Sequence, residues 1–115
     1  MDALEVRAVA KDIRISPQKV RRVIDVVRGM SVNDALAQLE FLPHRASGPV
    51  SKAIRSAAAN AEENLGLSRD EMFVATIFAD EAQTRRWRRF GARGRFKPIL
   101  RRGSHITVIL RERNY

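Results

Sequence analysis

Leu4, Val6, Ala8 and Ala10 alternate with Glu5, Arg7, Val9 and Lys11, a period of two that predicts a strand with one face on a core. From Ser16 the period lengthens. Val20, Val23, Ile24 and Val27 form one helical stripe, with Ser16 expected to cap the first turn, Pro17 pre-set for helix and Gly29 ending it near Arg28. Ser31 followed by Asp34 is a second capping signature, and Val32, Ala35, Leu36 and Leu39 carry a short helix to about Phe41. Pro43 breaks that pattern. Pro49 then suits the first turn of a third helix that sends Val50, Ile54, Ala57, Ala58, Ala61 and Leu65 inward, and Gly66 closes it. Ala57 to Ala61 is small on nearly every side, which suits close approach to a sheet or to an RNA backbone. Met72–Ala79 and His105–Leu110 are rich in β-branched and aromatic residues and predict two strands paired antiparallel.

These elements describe a single α+β domain: a small three-stranded antiparallel sheet packed with three helices. Residues 80–104 do not fit inside it. They are too many for a tight turn and long for an unstructured loop in a compact domain. The economical reading continues the two strands outward as a long extended β-hairpin with its tip near Gly91 to Gly94. The expected division is a globular body of residues 1–79 and 105–115 and an arm of residues 80–104. At about 3.3 Å per residue, an arm about 12 residues long reaches on the order of 40 Å. A free two-stranded ribbon is marginal in water, so a partner must hold it.

Charge says what kind of partner. The 115 residues carry 22 Lys and Arg against 13 Asp and Glu, a formal charge of +9. Nine of those basic residues, Arg85, Arg86, Arg88, Arg89, Arg93, Arg95, Lys97, Arg101 and Arg102, fall between 85 and 103, where no acidic residue occurs. The rest of the chain is therefore neutral. A neutral body with a cationic arm points to a polyanion met by that arm. Eight of the nine are arginines, whose planar forks suit phosphates and base edges, so nucleic acid is the first candidate.

The arm interleaves these charges with Trp87, Phe90 and Phe96 and with Gly91, Gly94 and Gly103. Aromatic faces stack on unpaired bases, and glycines let a backbone turn or approach a ligand closely. A solvated basic loop is the alternative, against which stand the flanking strands and the three large aromatics. Lys19, Arg21, Arg22 and Arg28 form a second cationic patch, which is either an RNA contact or the charged solvent face of a helix. Asn60 and Asn64 lie one helical turn apart. They read as polar contacts to RNA or as the exposed end of a helix. His105 opens a strand and reads as a structural residue or a phosphate contact.

Catalysis has no foothold in this sequence. His44 and His105 lack Cys or carboxylate neighbours at metal-ligand spacing, there is no cysteine, and no phosphate-cradling loop or nucleophile elbow occurs. Neither a metal nor a cofactor is called for. No apolar run approaches the roughly 20 residues of a membrane span, and Met1 to Ala10, with Asp2 and Glu5, does not read as a signal or transit peptide. A membrane-surface role for the basic arm would need an amphipathic apolar face that the arm lacks. Charge and aromatics alone leave a free-standing RNA-binding module open.

Three segments carry a resemblance. Ile13-Arg14-Ile15-Ser16-Pro17-Gln18-Lys19-Val20-Arg21, continuing through Asp25 and Arg28-Gly29, resembles the opening of the bacterial-type large-subunit ribosomal protein family numbered twenty-two. Ser56-Ala57-Ala58-Ala59-Asn60-Ala61-Glu62-Glu63-Asn64 and Ser104-His105-Ile106-Thr107-Val108 are similar to its other two signatures, in order and at the right separations. The resemblance spans nearly the whole chain. It implies a structural protein of the large ribosomal subunit, cytoplasmic or in a plastid ribosome, that assembles early beside other ribosomal proteins. It further implies contacts to large-subunit rRNA that extend to Ser104 and His105. The hairpin would line the exit tunnel, with Phe90, Gly91, Ala92, Arg93 and Gly94 at the tip beside the nascent polypeptide. Where the family often has Arg-Pro-Arg-Ala before a Gly-Arg pair, this chain reads Arg89-Phe90-Gly91-Ala92-Arg93-Gly94-Arg95.

Overall fold

A computed structural model describes residues 4–82, 85–90 and 96–113, with side chains described outside 83–101. The elements are β1 (Glu5–Ile13), α1 (Pro17–Val27), α2 (Val32–Phe41), α3 (Ser47–Leu65), a 3-10 turn at Arg69–Glu71, β2 (Met72–Glu81), β3 (Arg85–Phe90), β4 (Phe96–Arg101) and β5 (Ser104–Glu112). The body sheet is antiparallel in the order β1-β5-β2, and β3 pairs with β4 in a separate two-stranded sheet. With three helices on the body sheet, this is the expected α+β fold.

Register explains the core. Val6, Leu110 and Val74 face one another across the three strands, as do Ala8, Val108 and Ile77, and Ala10, Ile106 and Ala79. On β5 and β2 these residues are almost completely buried, because a strand places alternate side chains on one face and the helices cover that face. α1 packs against β2, α3 lies across β1 and β5, and α2 packs on α3. The α1 stripe of Val20, Val23, Ile24 and Val27 is fully buried, and so are Val50 and Ile54 of α3. Ala57, Ala58 and Ala61 are buried as well, so the small residues of α3 serve close packing on the sheet.

Two irregularities keep polar residues out of that core. Register slips between Ala10 and Ile13, where Asp12 takes φ +57°, a left-handed conformation that aspartate tolerates better than most residues. The bulge leaves Lys11 and Asp12 exposed and returns Ile13 to the half-buried side. A second slip between Val74 and Thr76 does the same for β2, leaving Thr76 exposed and Ile77 buried.

The helix ends differ in detail from the sequence reading. Ser31 caps α2 as expected, its Oγ accepting from the Asp34 N–H at 3.2 Å. Ser16 has the extended backbone of a cap, but its side chain makes no capping bond. Its carbonyl instead accepts the Lys19 and Val20 N–H groups, both at 3.1 Å. After α1, Gly29 turns at φ +84°, donates to the Val74 carbonyl at 2.9 Å, and Met30 accepts from the Val74 N–H at 2.8 Å. Leu65, expected inside, is 41% exposed. Gly66 at φ +67° turns the chain so that Leu67 is buried in its place.

Beyond the body, β3 and β4 pair from Arg85 with Arg101 to Phe90 with Phe96. Pro98 is tolerated because both strands of a two-stranded ribbon are edges. The tip expected at Gly91 to Gly94 lies outside the described residues. The inner pair of the body sheet runs to Glu81 and Ser104, and Ala82 donates to the Gly103 carbonyl at 2.9 Å. The chain measures 66 × 26 × 19 Å along its principal axes.

The arm root is fastened to the β1–α1 junction. The buried Ser104 hydroxyl donates to the Ile15 carbonyl at 2.6 Å. A Cβ on Gly103 would lie 2.9 Å from the Ile13 carbonyl oxygen, closer than side-chain carbons come to backbone. Gly103→Ala is therefore expected to cost about 1–3 kcal/mol, because the backbone on both sides must move. Urea unfolding followed by far-ultraviolet circular dichroism measures it, and an unchanged midpoint would show that the root is not tightly seated.

Candidate nucleic-acid interface

The segment Arg14-Ile15-Ser16 joins β1 to α1 at the foot of the arm. Because Ser104 ties Ile15 to the start of β5, this segment, the first turns of α1 and the arm root are brought together. They wall a cleft of about 500 Å³ lined by Arg14, Ile15, Ser16, Lys19, Arg22, His44, Arg45, Ala46 and Arg102. Five arginines and lysines line it, with no carboxylate among them. A concave surface of one sign focuses potential and attracts polyanions.

A second cleft of about 460 Å³ shares Ser16 and Arg102 with the first and adds Pro17, Gln18, Arg21, Asp80 and Glu81. Its two carboxylates weaken any pull on phosphate. Arg102 therefore stands between a purely cationic hollow and a mixed one.

The four α1 cations divide by task. Lys19 and Arg22 line the cationic cleft. Arg21 donates to the Ala79 carbonyl at 2.9 Å, and Arg28 donates to the Ile77 carbonyl at 3.0 Å and to Asp25 Oδ1 at 2.8 Å. Seven residues apart, on α1 and at its C-cap, these guanidinium groups reach carbonyls two residues apart on β2. β2 is an edge of the sheet, so the two arginines satisfy acceptors that would otherwise invite another strand.

Other expected contacts fall elsewhere. Ser104 is fully buried and its hydroxyl bonds within the fold, so it acts as a fastener and offers no surface to RNA. His105 is half-buried and its Nδ1 accepts from the Asp12 N–H at 3.1 Å. Asn60 is exposed on α3 and lines neither cleft. The backbones of Arg85, Arg86, Trp87, Arg88, Arg89 and Phe90 lie on β3, and those of Lys97 and Arg101 on β4. Gly91, Ala92, Arg93, Gly94 and Arg95 lie outside the described residues.

Arg14, His44 and Arg45 are the members that sequence reasoning missed as a group. Arg14 sits in the β1–α1 connection and His44 and Arg45 in the α2–α3 connection, so no linear spacing joins them. The one available signal was that Arg14 belongs to the first of the three family-like segments.

Comparison with known proteins gives this geometry its context. The sequence profile of the family described as ribosomal protein L22p/L17e matches residues 8–111. The chain belongs to the ribosomal protein L22p/L17e family. Among its relatives, the large ribosomal subunit protein uL22 of Pelotomaculum thermopropionicum is 47% identical over 112 residues, covering 96% of this chain and 97% of that protein. By its name the family is one of ribosomal proteins. Among the described residues there is no group of His, Cys, Asp or Glu able to hold a metal ion, and no helix is long and apolar enough to cross a membrane.

The division of the α1 cations makes an opposed pair of predictions. Arg21→Met removes a bond to the β2 edge and should lower unfolding stability by about 0.5–1 kcal/mol, a small figure because the side chain is largely exposed. Arg22→Met should leave the unfolding midpoint within experimental error. Equal effects in thermal melts would contradict the assignment.

Proposed function

We propose that the protein is a structural constituent of the large ribosomal subunit that holds large-subunit rRNA along one cationic surface. That surface runs from the cleft at the arm root outward along residues 80–104. The observation that carries this reading is the carboxylate-free cleft of Arg14, Lys19, Arg22, Arg45 and Arg102, which meets the arm at Arg102. Family membership and a relative named as a large-subunit protein support it.

Burial of the apolar faces folds the body without help. The arm is different, because two six-residue strands joined only to each other are marginal in water. RNA phosphates supply what the arm lacks, by neutralising its nine charges and covering its backbone. Binding at the root docks the body and aims the arm, and the arm then orders as it is enclosed. This sequence of events suits a protein that joins early in assembly, beside neighbouring ribosomal proteins, before the RNA around the arm has closed. In this reading the tip, Phe90 to Gly94, lines the nascent-peptide exit tunnel and meets the passing polypeptide.

Counterion release dominates such binding. If about six of the arm charges neutralise phosphates, log affinity for single-stranded RNA falls with log salt at a slope of roughly −4. Titrations of fluorescent RNA at several salt concentrations give the slope directly, and a value near zero would refute the electrostatic account. Sucrose-gradient sedimentation at high salt separates a ribosomal constituent from a free-standing RNA-binding module. The protein should travel with large subunits, and its retention at the top of the gradient would remove it from the ribosome.

A further inference from the structure

Phe41 is 81% exposed, more than any other large apolar side chain among the described residues. It ends α2, and the chain then passes through Leu42 and Pro43 to His44 and Arg45, which line the cationic cleft. Phe41 does not line the cleft itself, but it stands three residues before His44, so their Cα atoms are at most about 11 Å apart. The connection between them is fixed. The Ser47 N–H donates to the His44 carbonyl at 3.1 Å, the Ser47 hydroxyl donates to the Leu42 carbonyl at 3.4 Å, and Ala46 is buried in the core.

Exposing a phenylalanine forfeits the stabilisation its burial would bring, and nothing in the fold of the body recovers it. Its surroundings define what would cover it. The neighbouring cleft presents Arg14, Lys19, Arg22, His44, Arg45 and Arg102 and no carboxylate, which suits a phosphate-bearing partner better than an apolar protein surface. An exposed aromatic ring three residues along the chain from a cationic hollow suits an unpaired nucleotide, whose base stacks while its backbone is held. Paired bases in a helix keep their faces covered by their neighbours and offer nothing to such a ring.

We infer that Phe41 is a stacking platform for an unpaired rRNA nucleotide whose flanking phosphates occupy the cationic cleft, forming a body-borne RNA site separate from the aromatics of the arm. This deepens the rRNA-binding reading and rests on it. Phe41→Ala removes the stack without removing charge. Affinity of the full-length protein for large-subunit rRNA then falls roughly tenfold, while the salt slope is unchanged. Phe41→Tyr, which keeps the aromatic face, restores it. Since the side chain is exposed, melting of the Phe41→Ala protein should match that of the parent.

A photocrosslinking p-benzoylphenylalanine in place of Phe41, in purified large subunits, identifies the neighbour. A crosslink to an rRNA nucleotide that is unpaired is the expected result. A crosslink to a ribosomal protein, or none in particles that contain the variant, would overturn the stacking site while leaving rRNA binding by the arm intact. Absence of both variant and parent from the particles would overturn the ribosomal reading itself, and this inference with it.

Discussion

The last strand of the chain is the middle strand of the sheet. β5 pairs with β1 on one side and β2 on the other, so neither edge strand has a place until the C-terminal segment arrives. The two strands on either side of the arm, β2 and β5, are also direct neighbours. A connection between adjacent antiparallel strands must leave and return at the same end of the sheet. A long insertion there becomes a projecting ribbon, and the arm is a consequence of strand order as much as of its own sequence.

Projection alone would leave the ribbon free to swing. The root limits that freedom by close contact: Ala82 bonds to Gly103, Gly103 lies against the Ile13 carbonyl, and Ser104 is tied to Ile15 from a fully buried position. The junction that receives these contacts also starts α1. One small region therefore sets the direction of the arm, the start of the first helix and the floor of the cationic cleft. Arg102 belongs to the arm root and to both clefts, which joins the charge of the body to that of the arm.

Charge in this protein does two jobs that a residue count cannot separate. Arg21 and Arg28 complete the edge of β2, where their bonds to backbone carbonyls protect the sheet from unwanted pairing. Lys19 and Arg22 lie on the same helix and line the cleft. The helix turns each residue by about 100°, so neighbours in sequence look toward different parts of the molecule. That rotation decides which guanidinium groups bond to the sheet edge and which line the cleft.

Periodicity made the body legible. The α1 stripe, the Ser31 cap, the left-handed Gly66 and the β2–β5 pairing all follow from local preferences and from which faces are apolar, which nearest neighbours in the chain largely control. The clustering of nine arm charges was equally plain, since a charge count needs no structure. Local pattern misjudged Leu65, because the turn at Gly66 gives its place to Leu67, and it misjudged Ser104, because a hydroxyl's partner is settled by what packs 89 residues away. The assembly of Arg14, Arg45 and Arg102 into one hollow was decided by tertiary structure alone. Those residues sit in separate connections, and only the packing of α1 and α3 on a sheet with β5 at its centre brings them together.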